Sequence, residues 1–261
     1  MDPSAAIVRI LEQITVAASG FASVKLLSNG LFRRYRALFA YLIYRCCSTG
    51  AILLFFSNLT SPAYMKYWII TQPIIWLFHV LVVFELYSLV LEKHRGLYTL
   101  GRWFLYAGLS LSVLISALAL LPQLSGGTAQ RSRLLPYYYA IERGIDFSLL
   151  LFLLLLLLWL TQYPVPLSRN VVVHCLAYSV LFLSNTAGML ARVVLGKEVS
   201  RSVSTILVGI QAACILIWLV FLTRKGEEVR VRVPGFGPEH EKRILSQLEA
   251  LNNTLYKASR N

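Results

Sequence analysis

Long apolar stretches alternate with short polar connections along most of this chain. A helix that crosses a bilayer needs about 20 predominantly apolar residues. Seven stretches meet that length: residues 5–28, 37–57, 67–91, 100–121, 138–161, 171–195 and 203–223. The pattern predicts an all-α fold, a polytopic membrane helix bundle of about seven transmembrane helices. The first stretch is the least apolar, because it carries Arg9, Glu12 and Lys25 and reads as amphipathic. Pro62, Pro122, Pro136, Pro164 and Pro166 fall between candidate spans, where a missing N–H costs little.

Beyond residue 223 the character changes. The chain divides into a transmembrane domain (1–223), a charged linker interrupted by Gly and Pro (224–238) and a C-terminal segment (239–261). In that last segment Ile244, Leu248, Leu251 and Leu255 share one helical stripe, which predicts a short cytoplasmic amphipathic helix. The plainer reading is a helix lying on the membrane surface or docked on loops. The sharper one is a stripe for a homodimer or a cytoplasmic partner.

Composition strengthens the membrane reading. Of 261 residues, 57% are apolar and 14% charged, with a mean hydropathy of +0.64. Soluble chains carry roughly 25% charged residues, so a water-facing surface of this size could not be covered. The net charge of +13 would point to nucleic acid in a soluble protein. Here the basic residues are scattered between apolar stretches, which excludes a nucleic-acid patch and fits membrane lipids as the partner. Arg33, Arg34, Arg36, Lys93, Arg95, Arg102, Arg169, Arg224 and Lys225 fall in connections on one side; Lys66, Arg131, Arg133, Lys197 and Arg201 fall on the other. That bias places the N-terminus outside and the C-terminus in the cytoplasm. Cys46, Cys47, Cys175 and Cys214 lie in apolar stretches without CxxC spacing and read as free thiols.

Ionisable groups inside apolar spans are costly and mark either a site or an internal pair. At a rise of about 1.5 Å per residue, Arg45 sits ~12 Å and Glu85 ~9 Å from the inner ends of their spans. Matched depth predicts an intramembrane pair, Arg45 with Glu85. Glu142, Arg143 and Asp146 fall in the outer third of the fifth span, and the two acids, four residues apart, share a face. They are candidate ligand- or ion-binding residues. Arg143, Arg9 and Arg192 are the cations at similar depth, and Glu12 joins the same outer network. His79 and His174 differ too much in depth for a bis-histidine haem site and read as packing residues. Asn185 and Gln211 read as interhelical polar contacts.

Known chemistries can be tested against the motifs. Residues 203–223 hold no lysine for a retinal Schiff base, and neither D-R-Y nor N-P-x-x-Y stands at a span end. HExxH, GxSxG, GxxxxGK[ST] and metal-spaced His/Cys sets are missing, so no catalytic residue, metal ligand or cofactor is assigned. The motifs "FRRYRALFAYLIYR", "ERGIDFSLLLFLLLLLLWL" and "LIWLVFLTR" resemble a group of uncharacterised bacterial integral membrane proteins with about seven helices. The resemblance implies the same fold and the bacterial inner (plasma) membrane, and no activity.

On sequence the leading expectation is a non-enzymatic sensory or assembly module that signals through its cytoplasmic tail. The alternative is a small-solute transporter or channel using the intramembrane charges. A lipid-modifying enzyme built on Glu142 and Asp146 ranks last.

Overall fold

The computed structural model describes residues 3–56, 62–91, 134–162, 167–195, 199–228 and 230–231, with isolated positions between 103 and 110 and between 243 and 250. The span expected at 100–121 and the stripe of Ile244, Leu248, Leu251 and Leu255 lie outside the described residues, isolated positions apart. The long helices are α1 (Pro3–Ser28), α2 (Arg36–Phe55), α3 (Pro62–Val90), α4 (Leu134–Gln162), α5 (Arg169–Leu195) and α6 (Ser200–Phe221). Among the described residues, five of them, α1, α2, α3, α5 and α6, contain a segment long and apolar enough to cross a membrane. The proline expectation needs correcting at two positions. Pro62 is the first residue of α3 and Pro136 the third of α4, where the first-turn N–H has no helical acceptor to lose.

These helices close into a ring. α1 packs between α2 and α6, α6 on α5, α5 on α4, α4 on α3, and α3 back on α2. The ring is apolar on its outer face, and its interior joins a large apolar core to a set of buried polar groups. Phe21, Ile70, Leu155, Leu183 and Ile206 point outward and exposed, while Thr15, Ser19, His79, Asp146, Asn170 and His174 are buried. So many large apolar side chains on the outer face suit lipid better than water.

α1, the least apolar span, is held by small residues. Thr15, Ala18, Ser19, Ala22, Ser23 and Leu26 are buried at helical spacing, forming a seam along which neighbouring helices approach closely. The hydroxyls of Thr15 and Ser23 bond back to the carbonyls of Leu11 and Ser19, each at 2.8 Å, so their burial costs little. α1 ends at Gly30, whose φ of 69° reverses the chain into a 3-10 turn, Leu31–Arg33.

Helix directions follow from side-chain pairs. Lys25 near the end of α1 donates to the carbonyls of Leu219 and Val220 near the end of α6, so these helices run parallel. α3 and α4 are also parallel, since Gln72, His79 and Tyr87 meet Glu142, Asp146 and Phe152 in the same order. α2 and α5 run the other way.

The first residues of the segment read as linker fold back on the bundle. A short helix, α7 (Arg224–Glu228), leads to strand β2 (Arg230–Val231), which pairs antiparallel with β1 (Leu167–Ser168) before α5.

Candidate functional site

The six long helices line a partly open cavity of about 380 Å³ in one half of the ring. Each contributes a polar side chain to its wall: Glu12 from α1, Arg45 from α2, Gln72 and His79 from α3, Glu142 from α4, Asn185 and Arg192 from α5, and Gln211 from α6. The volume lies in the range of small-molecule sites.

The acidic wall belongs to α4. Glu142 and Asp146 stand one helical turn apart on its inner face, both buried. The Gln72 amide donates to Glu142 at 2.6 Å, and the Asn185 amide to Asp146 at 3.1 Å. His79 Nδ1 lies 3.8 Å from the other Asp146 oxygen. The basic groups stand on α2 and α5. Arg45 donates to Gln211 at 2.6 Å, whose own amide donates to the Tyr41 hydroxyl at 3.2 Å. Arg192 donates to Ser204 at 2.9 Å and acts electrostatically on Glu142. Glu12 lies in the positive fields of Arg45 and Arg9. Glu142 and the two guanidiniums, each partly held by an amide or hydroxyl, thus face one partly open space, with Glu12 beside them.

Three expectations meet different geometry. Arg45 and Glu85 do not pair. Glu85 accepts from the backbone N–H groups of Ala37 at 2.8 Å and Leu38 at 3.1 Å, while Arg45 turns to Gln211. The free amides in the first turn of α2 already offer a carboxylate what a cation would. Arg143 is half-buried on α4 but contributes nothing to the cavity wall, because its position next to Glu142 turns it about 100° around the helix. Arg9 is half-buried, does not line the cavity and acts on Glu12 through its field. Of the outer candidates, Glu12 and Glu142 line the cavity and Asp146 stands behind His79 and Asn185.

Gln72 was not singled out by sequence, and His79, Asn185 and Gln211 were read as packing or helix contacts. A signal was present. Gln72 and His79, Asn185 and Arg192, and Ser204 and Gln211 are each seven residues apart, two helical turns on one face.

Below the cavity the ring is filled by aromatic side chains. Tyr41, Tyr178, Trp218 and His174 are almost wholly buried and touch edge-on or tilted. Both nitrogens of His79 and of His174, and the Tyr178 hydroxyl, find no hydrogen-bond partner among the described residues. Each such buried atom costs about 1–3 kcal/mol, a penalty phenylalanine would avoid.

At the far end Glu227 of α7 gathers a second polar cluster. It accepts from the Tyr35 hydroxyl, from Arg34 at 3.0 Å and from Asn170 at 2.8 Å. Burial first, then the hydrogen bond to Glu227, pushes the Tyr35 hydroxyl far above its ordinary pKa, so it remains a donor. Asn170 also donates to the Thr223 carbonyl at 2.8 Å and accepts from the Thr223 N–H at 3.3 Å. A methyl group on Gly226 would strike the Asn170 amide oxygen, which those bonds hold in place. Gly226→Ala is therefore expected to lower stability by about 2 kcal/mol, read as a drop in melting temperature in detergent. An unchanged melting temperature would show that Asn170 is free to move.

The chain matches no protein-family model, and no curated protein or solved structure is significantly similar to it.

Proposed function

We propose that this chain is a multi-pass membrane protein that binds a small zwitterionic solute in the ring cavity and carries it across the bilayer. One observation carries the reading: a cavity of about 380 Å³, walled by six helices, that presents carboxylates and guanidiniums to the same space. A solute with both an ammonium and an acidic group satisfies both walls, with the amine toward Glu142 and the acid toward Arg45. A neutral or singly charged solute leaves one wall unmet.

The proposed topology has seven spans, with α4 and residues 100–121 joining the other five. α3 and α4 run parallel although consecutive in the described order, an arrangement that supports one further crossing between them. The proposed orientation in a bacterial inner membrane puts the cavity outside and Glu227 at the cytoplasmic face. Arg33, Arg34, Arg36, Arg169, Arg224 and Lys225 around that end support it.

The test is a binding panel on purified chain in detergent: an α-amino acid mixture, a quaternary-ammonium carboxylate, a simple monocarboxylate and a simple monoamine. Zwitterions are expected to raise the melting temperature, and the singly charged solutes are not. Uptake of the stabilising zwitterion into liposomes holding the protein then tests movement. Equal shifts from all four classes, or none from the zwitterions, would end this reading.

A second reading keeps the bundle as a sensor that signals through its tail. It is favoured by the Glu227 cluster, which ties the root of the tail to residues before α2 and at the start of α5. Deleting residues 232–261 separates the two, since a transporter retains uptake and a sensor loses its cellular phenotype.

A further inference from the structure

Between the cavity and the Glu227 cluster the interior is closed to solute but holds a continuous file of rings with polar atoms. His79, beside Asp146, lies with its ring centre 6.3 Å from Tyr178. Tyr178 lies 5.1 Å from His174, and His174 lies 5.7 Å from Tyr35, whose hydroxyl bonds Glu227. Tyr41 offers a parallel step, 5.5 Å from His79 and 6.5 Å from Tyr178. We propose that this file is a proton path from the Glu142–Asp146 carboxylates through His79, Tyr178, His174 and Tyr35 to Glu227, coupling solute movement to proton flow. The inference rests on the cavity being the working site, and it goes further by naming the coupling ion.

Three observations converge. First, every heteroatom at the intermediate stations, both nitrogens of His79, both of His174 and the Tyr178 hydroxyl, is buried without a hydrogen-bond partner among the described residues. Simple packing at these places needs no heteroatoms, as Phe182 shows, packed edge-on against His79 and tilted against Tyr178 on the same helix as His174. Second, each station can both take and give a proton. An imidazole accepts at one nitrogen and releases from the other; a phenol accepts on its lone pair and passes on its own hydrogen. Among the described residues no hydrogen bond links His79, Tyr178 and His174 directly, so each handover between ring centres 5.1–6.3 Å apart passes through a bridging water or a turned ring. Third, both ends are suited to exchange. The cavity end holds two carboxylates, and at the other end the Glu227 side chain is 16% exposed.

The balance is simple. One proton enters from Asp146 at His79, one leaves Tyr35 for Glu227, and Glu227 releases it to water. Each station ends neutral, resets by turning its ring or hydroxyl, and nothing is oxidised or reduced. The charged and titratable groups facing the file are few. Asp146 and Tyr41 face His79; Tyr35, Tyr178 and Trp218 surround His174; Tyr41, Glu85 and Cys214 act on Tyr178. Arg34 holds the second Glu227 oxygen at 3.0 Å.

The experiment places the full chain in liposomes with a trapped pH dye and drives protons with a potassium diffusion potential. Wild-type protein is expected to change internal pH faster than protein-free liposomes. His174→Phe and Tyr178→Phe are expected to fall to the protein-free rate, and Phe182→Leu to keep the wild-type rate. Tyr178→Phe removes a single oxygen, so it decides the matter if His174→Phe does not fold. Zwitterion-induced thermal shifts are measured on the same samples. Lost flux with binding kept supports the path. Wild-type flux in Tyr178→Phe, or wild-type protein no faster than empty liposomes, overturns the path and leaves the cavity reading standing if binding persists. No zwitterion shift in wild-type protein overturns the cavity reading, and the path is then judged on flux alone.

Discussion

Replacing Glu85 with alanine is expected to destabilise the bundle by about 3 kcal/mol, the cost of leaving buried donors unmet. The Glu85 carboxylate accepts from Ala37 and Leu38, the second and third residues of α2. First-turn amides have no acceptor within their own helix. Tyr35, at the N-cap position, supplies no side-chain bond to replace one. A carboxylate is also the right charge for the positive end of the helix dipole. Glu85 therefore caps α2 from α3 and fixes the stagger of the two helices. Glu85→Gln keeps one oxygen acceptor and should cost less, about 1 kcal/mol. Thermal unfolding in detergent measures both. If Glu85→Ala melts with the wild type, the cap is not a stabilising contact. A double-mutant cycle adds a sharper check. Arg45 and Glu85 share no partner here, so Arg45→Leu and Glu85→Ala should combine additively. Marked coupling between them would restore the ion pair that matched depth suggested.

That outcome shows where sequence reasoning reached and where it stopped. The helical spans were legible because lipid leaves backbone groups no alternative to internal hydrogen bonds. The stretch read at 37–57 is α2, Arg36–Phe55, and the one read at 203–223 is α6, Ser200–Phe221. The start of α3 was read five residues late, at 67 instead of Pro62. Lys66 reads as part of a connection, yet the helix persists through it. Relative height was not legible: Glu85 lies level with Ala37 and Leu38, eight and seven residues before Arg45 on α2, because counting from separate span ends assumes that those ends are level. Azimuth was not legible either. Depth alone cannot say whether Arg45 faces α3 or α6, and it ignores backbone amides as partners for a carboxylate. The same gap hid the polar wall. Gln72, His79, Asn185 and Gln211 look like isolated helix contacts until the ring turns them toward one space.

Glu142→Gln is expected to weaken zwitterion binding about a hundredfold, in line with removing one side of a buried charge contact. The variant keeps the size of the side chain and an oxygen to accept from Gln72, so the cavity wall stays in place. What it loses is the carboxyl group able to ionise against an ammonium in a partly buried site, where Coulomb attraction is stronger than in bulk water. The acidic end of the solute has its own signature. Arg45→Lys retains a positive charge but not the planar fork that holds a carboxylate with two bonds, and a roughly tenfold loss is expected. Arg45→Gln removes the charge altogether and should match Glu142→Gln in size. The two walls are distinguishable by the solutes they stop rejecting. A monocarboxylate leaves Glu142 facing nothing in the wild type, and Glu142→Gln removes that unmet charge, so the variant should bind monocarboxylates relatively better. Arg45→Gln should do the same for monoamines. Titration calorimetry with the four solute classes on the three variants reads all of these at once. Identical affinities for the zwitterion in wild type and Glu142→Gln would mean that the ammonium, if one binds, sits elsewhere in the ring.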